Sequence, residues 1–224
     1  WRNQKWELEE YITELTGEVA SYMRPSFWPT THDILTPYMQ YGGPTAWKLR
    51  AALAATLVPS YGIYSGYELV ENVARPGVEE QIDNEKYELK DRRWSDYEAG
   101  GPKAGKSLAP YLKTLNEIRR LHPSLHWLRN LQLHHVDDEN VMAFSKRRVV
   151  DGREDIILVV ANLDPHSTRE TTVHLDMSAL SMPPGSTFVA HDLITGASWQ
   201  WGEHNYVRLG PDGEPVHIIH VRRF

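Results

Sequence analysis

The hydrophobic pattern of this chain changes near Leu131, and that change restricts the fold more than any other feature. Upstream, apolar residues recur at three- and four-residue spacing or in short runs. Downstream, they alternate singly with polar residues between turn signals such as Asp151-Gly152 and Thr195-Gly196. The first pattern is typical of helices alternating with buried strands, and the second of antiparallel strands. We therefore predict an α/β part over residues 1–128 and an all-β part, an antiparallel β-sandwich, over residues 129–224.

Four segments set the order of the α/β part. Spacing predicts helices over Lys5–Leu15 and Thr45–Leu57, and apolar runs predict strands over Val19–Trp28 and Ser60–Leu69. Helices alternating with strands in this way imply a parallel sheet with helical crossovers. Two units are too few to close a barrel or to cover both faces of a sheet. Together with a first residue, Trp1, that is not an initiator Met, this leads us to expect further units upstream.

The rest of the chain continues the two patterns. Residues 70–105 carry many charges and little periodicity, which predicts a long loop, and a helix over residues 108–121 ends before Pro123. Long loops in compact domains are often functional. The strands predicted in the β part are residues 131–136, 141–148, 156–163, 171–175, 188–190 and 216–221.

Composition excludes several classes of function. The net charge is -6, from 24 Lys and Arg against 30 Asp and Glu, whereas a surface that tracks nucleic-acid phosphates needs clustered basic residues. There are no cysteines, so disulfides and thiolate chemistry are ruled out. No apolar run reaches the ~18 residues that a membrane span needs. We predict a cytoplasmic protein with no nucleic-acid partner, no membrane segment and no cofactor.

His32-Asp33 is the first candidate for chemistry. A lone Asp in a loop is more often a cap or a turn residue, but Asp33 directly follows a predicted buried strand and lies among Thr30, Thr31 and Thr36. In α/β folds, functional residues collect beyond the carboxyl ends of strands. Glycosyl transfer needs a carboxylate near an oxocarbenium-like sugar. Asp33 therefore fits a role in holding the hydroxyls of a reacting sugar, with His32 as a hydrogen-bond donor.

Several motifs together resemble a known superfamily. FWPTTHD (27–33) resembles the strand-seven motif of the α-amylase superfamily, and LVPSYGIYSGYE (57–68) resembles its strand eight. Within that superfamily, MRPSFWPTTHDILTPYMQYGGP (23–44), SYGIYSGYELVEN (60–72) and DNEKYELKDRRW (83–94) are similar to the bacterial α-1,4-glucan:maltose-1-phosphate maltosyltransferases. The resemblance implies strands seven and eight of a (β/α)8 barrel with their helices, followed by a β-sandwich.

The resemblance also implies roles for four residues. Asp33 matches the carboxylate that stabilises the transition state, and His32 precedes it at a position that varies in the family. Lys86 and Tyr87 match a loop pair that holds the maltosyl unit of the donor. The nucleophile and the acid/base carboxylate stand at the ends of strands four and five in this superfamily, so this chain contains neither of them. Glu68, Glu71 and Glu85 are not expected to replace them.

The function implied is retaining transfer of maltosyl units from maltose 1-phosphate to the non-reducing end of an α-1,4-glucan. The partners implied are these two substrates, the N-terminal part of the same enzyme, and a second copy in a homodimer. Two alternatives stay open: another hydrolase or transglycosylase of the superfamily, or a non-catalytic carbohydrate-binding module.

No metal site is predicted. The pairs His134-His135 and His217/His220 lie in alternating strand patterns, where solvent-facing positions explain them better than metal ligation, and no acidic residue with ligand spacing accompanies them.

Overall fold

The structure is a computed structural model, and it describes residues 2–83 and 90–224. Its first helix is α1 (Lys5–Thr16), which confirms the helix predicted there. The helix begins where the Glu7 carboxylate accepts a hydrogen bond of 3.0 Å from the backbone N–H of Gln4, which satisfies one of the backbone groups near the helix start. Ile12 and Leu15 are buried on its inner side.

Two short strands and two helices follow α1. They are β1 (Ser26–Phe27), α2 (Pro37–Tyr41), α3 (Gly43–Leu57) and β2 (Ser60–Tyr61). β1 and β2 pair in parallel, as the alternating pattern predicted. Five alanines in α3 let neighbouring elements approach closely, and the helix is buried along most of its length.

Both strands are shorter than the apolar runs that predicted them. Within Val19–Trp28, a 3-10 turn occupies Glu18–Ser21 and only β1 is extended. Within Ser60–Leu69, β2 is followed by a 3-10 turn that starts beyond Gly66. Gly66 has a φ of 95°, a left-handed conformation that a strand does not contain. The strands are also not buried as predicted, since neither β1 nor β2 contains a buried residue and Tyr22, Met23 and Trp28 are exposed.

The long loop and the last helix of the α/β part occur where predicted. The described loop residues include a 3-10 turn at Trp94–Tyr97 and an isolated antiparallel bridge between Ala74 and Gln81. The helix α4 (Ala109–Leu121) then packs on α3 through Leu112, Leu115 and Ile118, among others. We call everything through α4 the α/β part.

The remaining residues form eight antiparallel strands, which we call the β part. Their order in the sheet is β8-β7-β10-β5-β4-β3-β6-β9. The strands are β3 (Leu131–Val136), β4 (Val141–Val150), β5 (Arg153–Asn162), β6 (Arg169–His174), β7 (Phe188–Asp192), β8 (Ser198–Trp201), β9 (His204–Leu209) and β10 (Val216–Arg222).

The sheet curls on itself, so the predicted sandwich is a continuous sheet rather than two separate ones. Its two edge strands, β8 and β9, are joined by the two residues 202–203 and must lie close together. Trp201 of β8 and Val207 of β9 share an apolar core with Val173 and Phe188. The two halves of the sheet therefore face each other across one core, as the layers of a sandwich do.

A second apolar core joins the β part to the α/β part. It includes Phe144 and Val159 on one face of the sheet together with Trp47, Leu53 and Leu115 of the helices. The proposed boundary at residues 128/129 therefore crosses a shared core and stays a prediction.

Two basic side chains, the buried Lys146 and the half-buried Arg119, reinforce this junction at the carboxyl end of α3. The Lys146 ammonium of β4 donates to the carbonyls of Thr56 (3.4 Å) and Leu57 (3.3 Å). Arg119 of α4 donates to the carbonyls of Val58 (3.2 Å) and Pro59 (2.6 Å). The carboxyl end of a helix leaves carbonyls unpaired and carries partial negative charge, so the two basic side chains satisfy the end of α3.

No helix in the described residues is long and apolar enough to cross a membrane.

Candidate active site

β1 and β2 end side by side, and the candidate site begins there. Their register pairs Phe27 with Tyr61, and the backbone N–H of Gly62 donates to the Phe27 carbonyl at 2.9 Å. Because the strands are parallel, the loops that follow them leave from the same edge. The rings of His32 and Tyr64, one from each loop, lie 6.2 Å apart between centroids.

Asp33 is presented to solvent at this edge. Its side chain is 60% exposed, and its Oδ1 lies 3.2 Å from the Nδ1 of His32, whose side chain is 36% exposed. The hydroxyl of Thr31 also donates to Oδ1, at 3.2 Å. The structure thus brings Asp33 and His32 together, with the second carboxylate oxygen outside both contacts.

The three threonines around Asp33 do not act as one polar set, contrary to the sequence interpretation. Thr30 is only 1% exposed, so its side chain does not face a ligand. Thr36 precedes α2, and its carbonyl accepts from Met39 N–H at 2.9 Å. Of the three threonines, Thr31 is the one whose hydroxyl contacts the Asp33 carboxylate.

The backbone around His32 is fixed by the long loop that follows β2. Gln81 donates from its backbone N–H to the His32 carbonyl (3.3 Å) and from its side chain to the Thr31 carbonyl (3.4 Å). The Leu35 N–H donates to the Glu79 carbonyl at 2.6 Å. Gln81 is 5% exposed. The Asp33 side chain therefore projects from a backbone held on both sides.

Trp28 lies against the backbone of Gly62. A Cβ at Gly62 would lie 2.2 Å from the Trp28 ring, so only glycine permits this contact. Trp28 is 52% exposed and lines a cleft beside β1, together with Tyr11 and Leu53.

An ion-pair network lies at the end of β2. The Arg92 guanidinium donates to both carboxylate oxygens of Glu71, at 2.8 and 3.0 Å, and to the Ser65 carbonyl at 3.1 Å. The Lys90 ammonium lies 3.3 Å from Glu71 and 2.7 Å from Asp83. Partial burial would raise the pKa of Glu71, but the hydrogen bonds from Arg92 and Lys90 outweigh it and hold that pKa below its ordinary value.

Glu68 and Glu71 both make contacts within the protein. A Glu68 carboxylate oxygen accepts from the N–H of Gly66 at 3.1 Å. The Glu68 carbonyl accepts from the N–H of Leu108 at 2.7 Å. Glu85 lies outside the described residues.

Lys86 and Tyr87 also lie outside the described residues. The residues at the two ends of their segment, Asp83 and Lys90, are in contact with each other. Through Glu71 and Arg92 that contact is attached to the loop after β2. The DRRW motif did not predict a role for Arg92. The signal was present, since basic residues 90 and 92 follow acidic residues 71 and 83.

Two of the four histidines that were predicted to face solvent do not, whereas His135, whose side chain is 72% exposed, does. His134 is buried, and its ring bonds to the Ser145 hydroxyl at 2.8 Å. The His217 ring lies 3.2 Å from the buried carboxylate of Asp192. Solvent-facing positions are therefore the wrong explanation for these two residues, which are held inside the fold.

Comparison with known proteins identifies relatives along the whole chain. Residues 133–221 match the family model described as "GLGE, C-terminal". The chain is 51% identical over 224 residues to α-1,4-glucan:maltose-1-phosphate maltosyltransferase 2 of Streptomyces coelicolor. That alignment covers all of this chain and 32% of the Streptomyces protein. The chain is 46% identical over 222 residues to the maltosyltransferase of Mycolicibacterium smegmatis, covering 99% of this chain and 31% of that protein. The chain thus spans about a third of the length of these curated relatives.

A solved structure has the same fold at low identity. An Anoxybacillus α-amylase superposes with a TM-score of 0.64 at 17% identity, covering 99% of this chain and 43% of the amylase. At that identity the likeness concerns the fold alone. It extends over both the α/β part and the β part.

Proposed function

The chain belongs to the α-1,4-glucan:maltose-1-phosphate maltosyltransferase family as a C-terminal portion, and on that premise we propose that it supplies part of a retaining hexosyltransferase site. The proposed reaction transfers maltosyl units from maltose 1-phosphate to the non-reducing end of an α-1,4-glucan. The observation that carries the proposal is the place of Asp33, exposed on a fixed backbone at the carboxyl end of β1.

In this proposal, β1 and β2 are strands seven and eight of a (β/α)8 barrel formed by residues 1–128 and an N-terminal part of the protein. Residues 129–224 form the C-terminal β domain. Two features support it. β1 pairs with β2 on one side only within the described residues, and the cleft beside β1 is lined by side chains of α1 and α3.

The proposed chemistry assigns Asp33 to the transition state. A retaining transferase uses a nucleophilic carboxylate and an acid/base carboxylate about 5–5.5 Å apart, and both would come from the N-terminal part. Asp33 would accept hydrogen bonds from hydroxyls of the reacting sugar, and these bonds strengthen as the ring gains positive charge. His32 would donate to a neighbouring hydroxyl, while Lys86 and Tyr87 would hold the maltosyl unit of the donor.

The test is Asp33→Asn in the intact protein, which keeps the shape of the side chain and removes its charge. With maltose 1-phosphate and glycogen as substrates, we expect kcat to fall about 10²- to 10³-fold, by analogy with loss of one oxyanion-hole donor. The thermal midpoint should hardly change because Asp33 is exposed. Asp151→Asn is the matched control, in a distant hairpin where φ is 50° and Asn is well tolerated. Wild-type turnover of Asp33→Asn would overturn the assignment.

The same assay separates the alternatives. Release of glucose or maltose without chain extension would favour a hydrolase of the superfamily, and transfer from a donor without phosphate would favour another transglycosylase. A non-catalytic carbohydrate-binding module predicts that residues 1–224 unfold cooperatively on their own. Part of a barrel, with unpaired strand edges, should not unfold cooperatively on its own. A homodimer and a cytoplasmic location stay predictions, which sedimentation of the intact protein and cell fractionation can check.

A further inference from the structure

Three histidines form a row across neighbouring strands at one end of the curled sheet. His135 of β3 pairs directly with His174 of β6, and His174 pairs directly with His204 of β9. Directly opposite residues in antiparallel strands project to the same face. The rings of His135 and His174 are stacked with centroids 5.3 Å apart, and those of His174 and His204 are 4.9 Å apart.

Asp137 adds an acidic group to this row. Its Oδ1 lies 2.9 Å from the Nε2 of His174 and 3.4 Å from the Nε2 of His135. Asp137 and His135 are exposed, and the His174 side chain is 30% exposed. The sequence interpretation found no acidic partner with ligand spacing for His135. Asp137 lies only two residues beyond His135, and the fold completes the cluster by bringing His174 of β6 beside both.

We propose that His135, Asp137 and His174 bind a divalent transition-metal ion of the Zn²⁺ class. Zn²⁺ binds imidazole nitrogens and carboxylate oxygens at about 2.0–2.2 Å in tetrahedral geometry. That geometry places ligand atoms roughly 3.3 Å apart. The two distances from Asp137 bracket this value, and the exposed position leaves the fourth coordination site to water.

His204 acts as a positioning residue in this proposal. Its Nδ1 lies 2.8 Å from the Nδ1 of His174. With Nε2 of His174 on the metal, Nδ1 carries the proton and donates to His204. Metal-bound histidines usually donate their other N–H in this way, which fixes the tautomer and the ring orientation.

Metal binding would fasten a weakly attached part of the sheet. β6 pairs with β9 over six residues, but with β3 over two, His135–His174 and Val136–Val173. One further backbone hydrogen bond, from Asp137 N–H to the Thr172 carbonyl at 3.2 Å, extends that short pairing. His135 and His174, the two proposed histidine ligands, form one of these two residue pairs. An ion bound to both would therefore cross-link the β6–β9 ribbon to the rest of the sheet, with the largest effect on β6 and β9.

A second histidine cluster provides an internal comparison. His122 Nδ1 lies 2.7 Å from Asp155 Oδ1, and the N–H of Ser124 donates to Asp155 Oδ2 at 2.9 Å. Both carboxylate oxygens are therefore engaged within the protein, and His220 lies 3.9 Å from Asp155. This arrangement is a hydrogen-bonded pair with a distant histidine, so His220→Ala serves as the matched control.

The experiment titrates the intact protein with ZnCl₂ in competition with a chromogenic chelator. We expect wild type and His220→Ala to bind one more equivalent of Zn²⁺ than His135→Ala or His174→Ala. His204→Ala should bind about 10- to 100-fold more weakly than wild type, as is usual when a ligand loses its supporting hydrogen bond. Because His135 is exposed, His135→Ala should fold normally.

Hydrogen exchange supplies a readout that a purely structural row would not give. Zn²⁺ should slow amide exchange in residues 169–174 and 204–209 of wild type and of His220→Ala, but not of His135→Ala. Equal Zn²⁺ stoichiometry and affinity in wild type, His135→Ala and His174→Ala would overturn the proposal. So would unchanged exchange of the β6–β9 ribbon in saturated wild type.

Discussion

The two strand pairs β1–β2 and β4–β5 show how differently the two parts of the molecule are stabilised. β1–β2 joins two residues on each strand, whereas β4–β5 joins ten. β5 is buried from Ile156 to Asn162, while β1 and β2 contain no buried residue. The β part is held together mainly by long strand pairings, whereas the candidate site lies beside one of the shortest pairings in the molecule. Its geometry therefore depends on the loop at Glu79–Gln81 and on the ion pairs around Glu71.

The largest effect on folding should come from the core of the β part. Phe188 is fully buried in the core that the two halves of the sheet share. Phe188→Ala should lower the free energy of unfolding by about 3–5 kcal/mol, since it removes apolar contacts and leaves a cavity. Tyr206→Ala is the control, because Tyr206 is 64% exposed and its loss should cost about 0.5 kcal/mol or less. Urea unfolding of the intact protein measures both, and equal effects would contradict the comparison.

The next effect concerns the junction between the two parts. Burial, with a smaller contribution from Arg119, lowers the pKa of Lys146 to about 7. In the unfolded chain the amine titrates near its ordinary value of about 10.4, so between pH 7 and 10 the unfolded state binds more protons. Stability therefore rises with pH across this window, by an amount on the order of a few kcal/mol.

Lys146→Met removes this dependence, and the difference between the two proteins isolates it. We expect the free energy of unfolding of wild type to increase relative to that of Lys146→Met as pH rises from 7 to 9.5, and tyrosine ionisation affects both proteins alike. Lys106→Met, at an exposed position, is the control and should parallel wild type. A constant difference between wild type and Lys146→Met would show that Lys146 keeps its ordinary pKa.

The sequence predicted the elements of the β part more completely than those of the site. Six strand runs were correct because alternation of apolar and polar residues reports one buried face directly. Of the other two strands, β8 (Ser198–Trp201) was indicated only by the alternation of Trp199 and Trp201. β9 (His204–Leu209) was missed, although its burial alternates strictly, because a polar residue, Asn205, is buried and an aromatic one, Tyr206, is exposed. The curl of the sheet was not predictable, since it depends on pairing between strands far apart in sequence.

For the candidate site, the sequence led to the proposal of Asp33 and His32 but could not predict the contacts that hold them. The Gln81 hydrogen bonds join residues about 50 positions apart, and no local pattern reports such contacts. The metal-type cluster was missed for the same reason, because Asp137 and His174 are 37 residues apart. Short motifs therefore predicted the groups that would meet a ligand, and the tertiary fold determined their neighbours.

A smaller effect, on activity, should follow from the network at the end of β2. Glu71→Gln removes the carboxylate paired with Arg92 and one of the two paired with Lys90, which keeps Asp83. Both basic side chains are less than a third exposed. If the network positions the segment that carries Lys86 and Tyr87, kcat/KM for maltose 1-phosphate should fall roughly tenfold, about 1.4 kcal/mol, mainly through KM. Glu117→Gln removes an exposed pair with a 3.9 Å separation and should have no effect. A loss confined to kcat would argue against a role in donor binding.

The smallest effect should come from Thr31, whose hydroxyl donates to the Asp33 carboxylate. Thr31→Val keeps the shape of the side chain and removes that donor, so Asp33 is oriented by His32 alone. A hydrogen bond to a charged group contributes about 1.5–3 kcal/mol when buried, but Asp33 is 60% exposed and solvent competes for it. We therefore expect kcat to fall only a few-fold, with Thr114→Val on the outer face of α4 as the control. A loss as large as that of Asp33→Asn would mean that Thr31 itself contacts the sugar, and that the site extends further along the loop after β1 than its contacts indicate.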